Sequence, residues 1–174
     1  MFDDPVLFDV EGPFDIPYDA HRKGVSKRIS VSHGREFWSR PDCAPFRGAT
    51  GCYVFALASG PGHSPWYVGK ATKGFEQEVF TDHKIRTYND VVFAGHKGKP
   101  VMFFVVRPGK KSAIGAKQID EVETFLIQAA IHKNPELRNI KKIGGPPWGI
   151  RGVVRGGRGQ TTAPAKKLKG MMRL

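Results

Sequence analysis

Apolar residues in this chain gather into short runs divided by stretches rich in glycine, proline and charge. Gly51-Cys-Tyr-Val-Phe-Ala-Leu-Ala58 is continuous and rich in β-formers, and it stops at Ser59-Gly-Pro-Gly62. Trp66-Tyr67-Val68 follows and ends at Gly69, so two strand signals across a Gly/Pro turn predict a β-hairpin. From Gly74 the spacing changes. Phe75 and Val79 lie four apart, and Ile85, Tyr88 and Val92 recur at helical intervals, which predicts two short helices across 75–94. Val101-Met-Phe-Phe-Val-Val106 reads as a buried strand closed by Pro108-Gly109. Residues 117–133 form an amphipathic helix ended by Asn134-Pro135.

The order hairpin, helices, strand, helix predicts an α+β fold: a small three-stranded, largely antiparallel sheet flanked by helices. Residues 1–48 show no sustained periodicity and read as an irregular leader with short strands at most. Residues 49–140 carry the folded elements. Residues 141–174 read as a basic, glycine-rich extension in which Leu168, Met171 and Met172 define one face of a short terminal helix. No internal repeat is evident.

One position breaks the helical pattern of 117–133. With Ile119 set at zero and about 100° per residue, Val122, Leu126, Ala129, Ala130 and Ile127 span an apolar stripe from about 280° through zero to about 80°. Glu123 falls near ~40°, inside that stripe, whereas Glu121 falls near ~200°, toward solvent. An ionised carboxylate on a buried face is costly unless a cation, a metal or strong donors meet it. A structural ion pair and a functional carboxylate both satisfy that condition.

A chain of 174 residues with 40% hydrophobic and 11% aromatic content is about one domain in size and can bury a core. No apolar run, Val101 to Val106 included, approaches the ~20 residues of a membrane helix. The first residues are aspartate-rich and carry no secretory pattern, so a cytoplasmic location is expected. Cys43 and Cys52 are the only cysteines, which excludes a disulfide scaffold and a four-cysteine zinc site. The net charge of +12 points to an anionic partner. It is unevenly spread: residues 1–20 carry −6, 21–50 carry +5, 51–139 carry +4 and 140–174 carry +9. The extension is therefore either a solubilising tail or a nucleic-acid contact, with Arg151, Arg155, Arg158, Lys166, Lys167 and Lys169 as candidate phosphate contacts.

Gly51-Cys52-Tyr53 on one strand and Tyr67-Val68-Gly69-Lys70-Ala71 on the next resemble the two signatures of the GIY-YIG nuclease family. Glu123-Thr-Phe-Leu126-Ile127, with Asn134-Pro135 and Asn139 downstream, is similar to that family's later glutamate segment. The resemblance covers roughly residues 49–140 and implies an endonuclease that hydrolyses phosphodiester bonds with one divalent cation, Mg²⁺ or Mn²⁺. It implies nucleic acid as partner, DNA ahead of RNA. It further implies that Tyr53 helps position or activate water, Tyr67 orients water or phosphate, Lys70 contacts phosphate or assists the tyrosine, and Glu123 holds the metal. Such a reaction needs an activated water, charge stabilisation on the phosphoryl oxygens and help for the leaving oxygen. A phenol with a reference pKa of ~10 takes a proton only where nearby positive charge depresses that value.

The chain departs from the family at one place. Glu76-Gln77-Glu78-Val79 stands roughly where the family has a first-helix arginine, a fork-shaped phosphate donor. His83, Lys84 and Arg86 are the candidate replacement cations, and a catalytically degenerate nucleic-acid-binding module is the alternative reading. The connection between the two tyrosine signatures, residues 54–66, reads as a surface loop. Gly69-Lys70-Ala71-Thr72 lacks the earlier glycine of a phosphate-binding loop, since Ser64 stands there. The six histidines have no zinc-ligand spacing.

Overall fold

The computed structural model describes residues 7–20, 27–107, 115–139, 150 and 161–172. The chain divides into two compact units, Met1–Asn139 and Ile140–Leu174. The first unit holds a four-stranded antiparallel sheet in the order β1-β4-β2-β3, formed by β1 (Asp9–Asp15), β2 (Gly51–Ser59), β3 (Gly62–Ala71) and β4 (Lys99–Val106). Its helices are α1 (Val31–Ser39), α2 (Phe75–Glu78), α3 (Asp82–Phe93) and α4 (Ala116–Lys133). In the second unit the described helix is α5 (Ala163–Met172), on which Leu168, Met171 and Met172 are exposed. Among the described residues no helix is long and apolar enough to cross a membrane.

The α+β class expected from the sequence is present, but the sheet has four strands rather than three. The additional strand, β1, lies in the stretch read as an irregular leader, and its residues pair with β4 from Asp9↔Val106 to Asp15↔Val101. Its sequence, Asp-Val-Glu-Gly-Pro-Phe-Asp, buries almost nothing, and the register shifts between Glu11 and Phe14. An edge strand with one core-facing residue leaves no period-two signal to read. The same stretch also forms α1. Ser30 caps it through a box in which His33 replaces the usual Glu or Gln: His33 N donates to Ser30 Oγ, and Ser30 N donates to His33 Nδ1 at 3.0 Å.

The hairpin β2–β3 is longer than its apolar runs suggested. Ser59 pairs with Gly62 across a tight turn, and the ladder continues to Gly51↔Ala71, so residues 54–66 are strand and turn rather than a surface loop. Pro65 is accommodated because β3 is an edge strand and the register shifts beside it, between Phe55↔Tyr67 and Ala56↔Pro65.

Alternation along β2 separates two cores. Tyr53, Phe55 and Leu57 face one side, where Phe37 and Trp38 of α1, Phe75 of α2 and Tyr88, Val91 and Val92 of α3 complete an aromatic-rich core. Trp38 stacks on Phe104 with ring centroids 5.7 Å apart, and Tyr88 stacks on Phe55 at 4.4 Å. Cys52, Val54, Val68 and Val105 face the other side, against Ile119, Ile127 and Ala130 of α4.

The segment after α4 seals the outer edge of β3. Asn134 Nδ2 donates to Pro65 O at 2.7 Å, and Arg138 N donates to Trp66 O at 2.8 Å. The buried Asn139 amide then meets both backbone groups of Val68, accepting from its N–H at 2.9 Å and donating to its carbonyl at 2.6 Å. Deleting that amide strands two buried backbone groups at about 1–3 kcal/mol each. Asn139→Ala is therefore expected to lower unfolding free energy by about 2–4 kcal/mol in a urea titration, with an unchanged slope.

Candidate active site

The two glycines of the tyrosine signatures are dictated by contact. Gly51 has φ +147°, and a Cβ there would stand 2.1 Å from the Val105 carbonyl oxygen. A Cβ at Gly69 would stand 2.3 Å from Tyr53 Cζ and 2.4 Å from its hydroxyl. The cross-strand partner of Tyr53 is thus bare backbone, over which the phenol passes. Tyr53 is fully buried, and its Oη has no hydrogen-bond partner among the described residues. Burial first, then Tyr67, Glu78 and Glu123, push its pKa well above the ordinary phenol value, against a lesser opposing effect of the Tyr88 hydroxyl. Tyr53 is therefore a neutral phenol at physiological pH. The depressing positive charge that base chemistry requires of it is not what surrounds it here.

Tyr67, next but one along the same face of β3, has its ring 6.2 Å from that of Tyr53. It is half-buried, and its hydroxyl accepts a hydrogen bond from Lys84 Nζ. Lys84 lies on α3 one turn before Tyr88, whose own hydroxyl donates to the Val79 carbonyl at 2.8 Å. Of the three candidate replacement cations, Lys84 is the one brought to a signature tyrosine. His83 is exposed, and Arg86 lines a separate groove with Arg28, Ser30 and Asn89. The acids in the arginine's place have structural partners: Glu76 pairs with Arg47 at 3.6 Å, and Glu78 accepts from the backbone after β3.

Lys70 and Glu123 meet on the opposite face. Lys70 pairs with Cys52 across the hairpin and so points toward α4, where its Nζ lies 2.5 Å from Asp120 Oδ1 and 3.7 Å from Glu123 Oε2. The Glu123 side chain is 13% exposed, flanked one turn away on each side by the buried Ile119 and Ile127. The helical phase of the sequence placed it there, although Ala129, assigned to the same stripe, is exposed. Asp120 was not singled out by sequence. Its signal was available, because at about 100° per residue it lies only ~60° from Glu123 on the helix surface.

The four signature groups therefore flank β3 rather than share one face of the sheet. Tyr53 and Tyr67 lie with Lys84 on the α3 side, and Lys70 lies with Glu123 and Asp120 on the α4 side. The strand between them is thin enough that the Glu123 charge still acts on Tyr53. Among the described residues no group of three or more His, Cys, Asp or Glu could hold a metal. Asp120 and Glu123 are the two carboxylates on this face, and both lie within ion-pair reach of the Lys70 ammonium. Of the candidates on the extension, Lys166 and Lys167 are exposed on α5 and Lys169 belongs to the same helix, while Arg151, Arg155 and Arg158 lie outside the described residues. Comparison of the chain with models of known families, with curated protein sequences and with solved structures finds no match.

The state of Tyr53 has two measurable consequences. Tyr53→Phe removes a buried, unpartnered hydroxyl, so its thermal unfolding temperature is expected to be equal to or above that of the wild type. The folded chain holds the Tyr53 and Tyr88 protons more tightly than the unfolded chain, whose phenols titrate near ~10. Their contribution to stability is thus full below pH ~10 and is lost as pH rises above it, and Tyr53→Phe is expected to flatten that alkaline loss in unfolding measured against pH.

Proposed function

We propose that the first unit is a metal-dependent endonuclease of the GIY-YIG kind, hydrolysing phosphodiester bonds in nucleic acid, with DNA ahead of RNA. The observation that carries this reading is the hydrogen bond from Lys84 to Tyr67. The family pattern lacks its arginine here, and a lysine from the following helix supplies a cation beside the second signature tyrosine. Support also comes from Glu123, which is held on the buried side of α4 next to Lys70.

Roles follow from exposure and charge. Tyr67, half-buried and fixed by Lys84, orients water or a phosphate oxygen. Tyr53, fully buried and protonated, packs behind Tyr67 and positions it rather than acting as a base. Lys70, paired with two carboxylates, can turn its ammonium to an incoming phosphate. Glu123, with Asp120 beside it, would hold a divalent cation, which supplies charge neutralisation at the phosphoryl oxygens. The basic residues of the extension grip the backbone without reading sequence. A second reading, a module that binds nucleic acid without cutting it, is favoured by the buried and protonated Tyr53.

Incubation of plasmid and oligonucleotide DNA with the protein and Mg²⁺ or Mn²⁺ is expected to give metal-dependent cleavage. Lys84→Ala is expected to slow it about 10²-fold, the typical cost of one positioned electrostatic donor, and Glu123→Gln at least as much. Cleavage undiminished in Glu123→Gln overturns the assignment of that residue. Salt-sensitive binding with no cleavage under either metal selects the second reading.

A further inference from the structure

β3 ends at Ala71, and the next two backbone N–H groups, those of Thr72 and Lys73, converge on one atom. Glu78 Oε1 accepts from both, at 2.8 Å each. Successive N–H groups aimed at a single point form a small anion-binding concavity, and here its occupant is a carboxylate of the same chain. The turn contains Lys73, so a cationic side chain borders it in sequence. Glu78 also differs from its neighbour. Glu76 is balanced by Arg47 at 3.6 Å, whereas among the described residues Glu78 has no cation within ion-pair distance. Its negative charge extends to Tyr53 as well, which ties the turn electrostatically to the tyrosine face of the site.

We propose that the Thr72–Lys73 turn is a phosphate-oxygen subsite and that the Glu78 carboxylate is its resident competitor, displaced when a backbone phosphate of nucleic acid arrives. The identity of the ligand rests on the function proposed above; the anion concavity does not. The exchange is one anion for another on the same two N–H groups, so no bond is made or broken covalently. It also accounts for an acid standing where the family places a phosphate-binding arginine. The carboxylate keeps the subsite closed until a backbone phosphate oxygen takes its place on the two N–H groups.

The test follows the Thr72 and Lys73 amide resonances of the full chain with metal chelated, titrating inorganic phosphate and, separately, a DNA oligonucleotide. In the wild type these resonances are expected to move weakly. Glu78→Gln retains a side-chain oxygen for both N–H groups but loses the charge, and is expected to saturate at about tenfold lower ligand concentration. Glu76→Gln is expected to leave the titration unchanged. A folded Glu78→Gln protein whose two amides respond as the wild type does overturns the subsite. Should that variant not fold, Glu78→Asp, which keeps the charge but shortens its reach, is expected to show the same gain, and its absence has the same meaning. Cleavage of the oligonucleotide on adding metal reports the proposed reaction separately. Cleavage with no gain in the variant overturns the subsite alone, and a gain for phosphate without oligonucleotide binding overturns the nucleic-acid ligand alone.

Discussion

A tyrosine ring and a strand backbone come into contact at Gly69 only because no Cβ stands between them, and much of the first unit is arranged around that contact. Tyr53 leaves β2, passes over its cross-strand partner and ends in the aromatic core. Any side chain at 69 would have to displace the ring, in a core too well filled to yield without strain. Keeping the ring in place fixes which face each hairpin residue takes. Tyr67 joins Tyr53, and Lys70 turns away to α4. The phenol is left fully desolvated with an unpartnered oxygen. A natural core rarely tolerates that, because an unmet buried polar group costs as much as the loss of a hydrogen bond.

The same alternation spreads charged groups over both sides of one strand. On the α4 side a lysine that meets two carboxylates offsets part of the cost of placing Glu123 among apolar neighbours. On the other side Lys84 reaches across from α3 to a phenol. Neither cluster stands alone electrostatically, since a charge on one side shifts the proton affinity of a group on the other. An edge strand allows this arrangement because it is one chain thick and bordered by sheet on a single side.

What could be read from sequence follows from how much apolar surface each element buries. β2, β4 and α4 are each covered along one or both faces, so their runs and periodicity were visible. β1 contributes Phe14 to the core and little else, and α1 contributes Phe37 and Trp38 from a nine-residue helix with a glycine inside it. The approach to α1 is held by a partner distant in sequence, the Asn89 amide, which meets both backbone groups of Ile29. No local pattern encodes such a bond. The site divides in the same way. Glu123 betrayed itself by standing in an apolar stripe, whereas Glu78 looked like an ordinary surface acid, because its partners are backbone N–H groups that a sequence does not display. The choice of Lys84 over His83 and Arg86 likewise depended on the azimuth of α3 against the sheet, a tertiary quantity.

The amide of Asn139 imitates a residue of a fifth strand, offering one donor and one acceptor to Val68. Together with the backbone bond from Arg138 to Trp66, it uses up hydrogen-bonding groups that an exposed edge would present to other chains. The far edge of the sheet is shielded by other means: β1 is short, irregular in register and carries Asp9, Glu11 and Asp15. One margin of the sheet is thus blocked by a mimic and the other by charge, so copies of the protein at high concentration lack a ready template for strand-to-strand stacking into fibres.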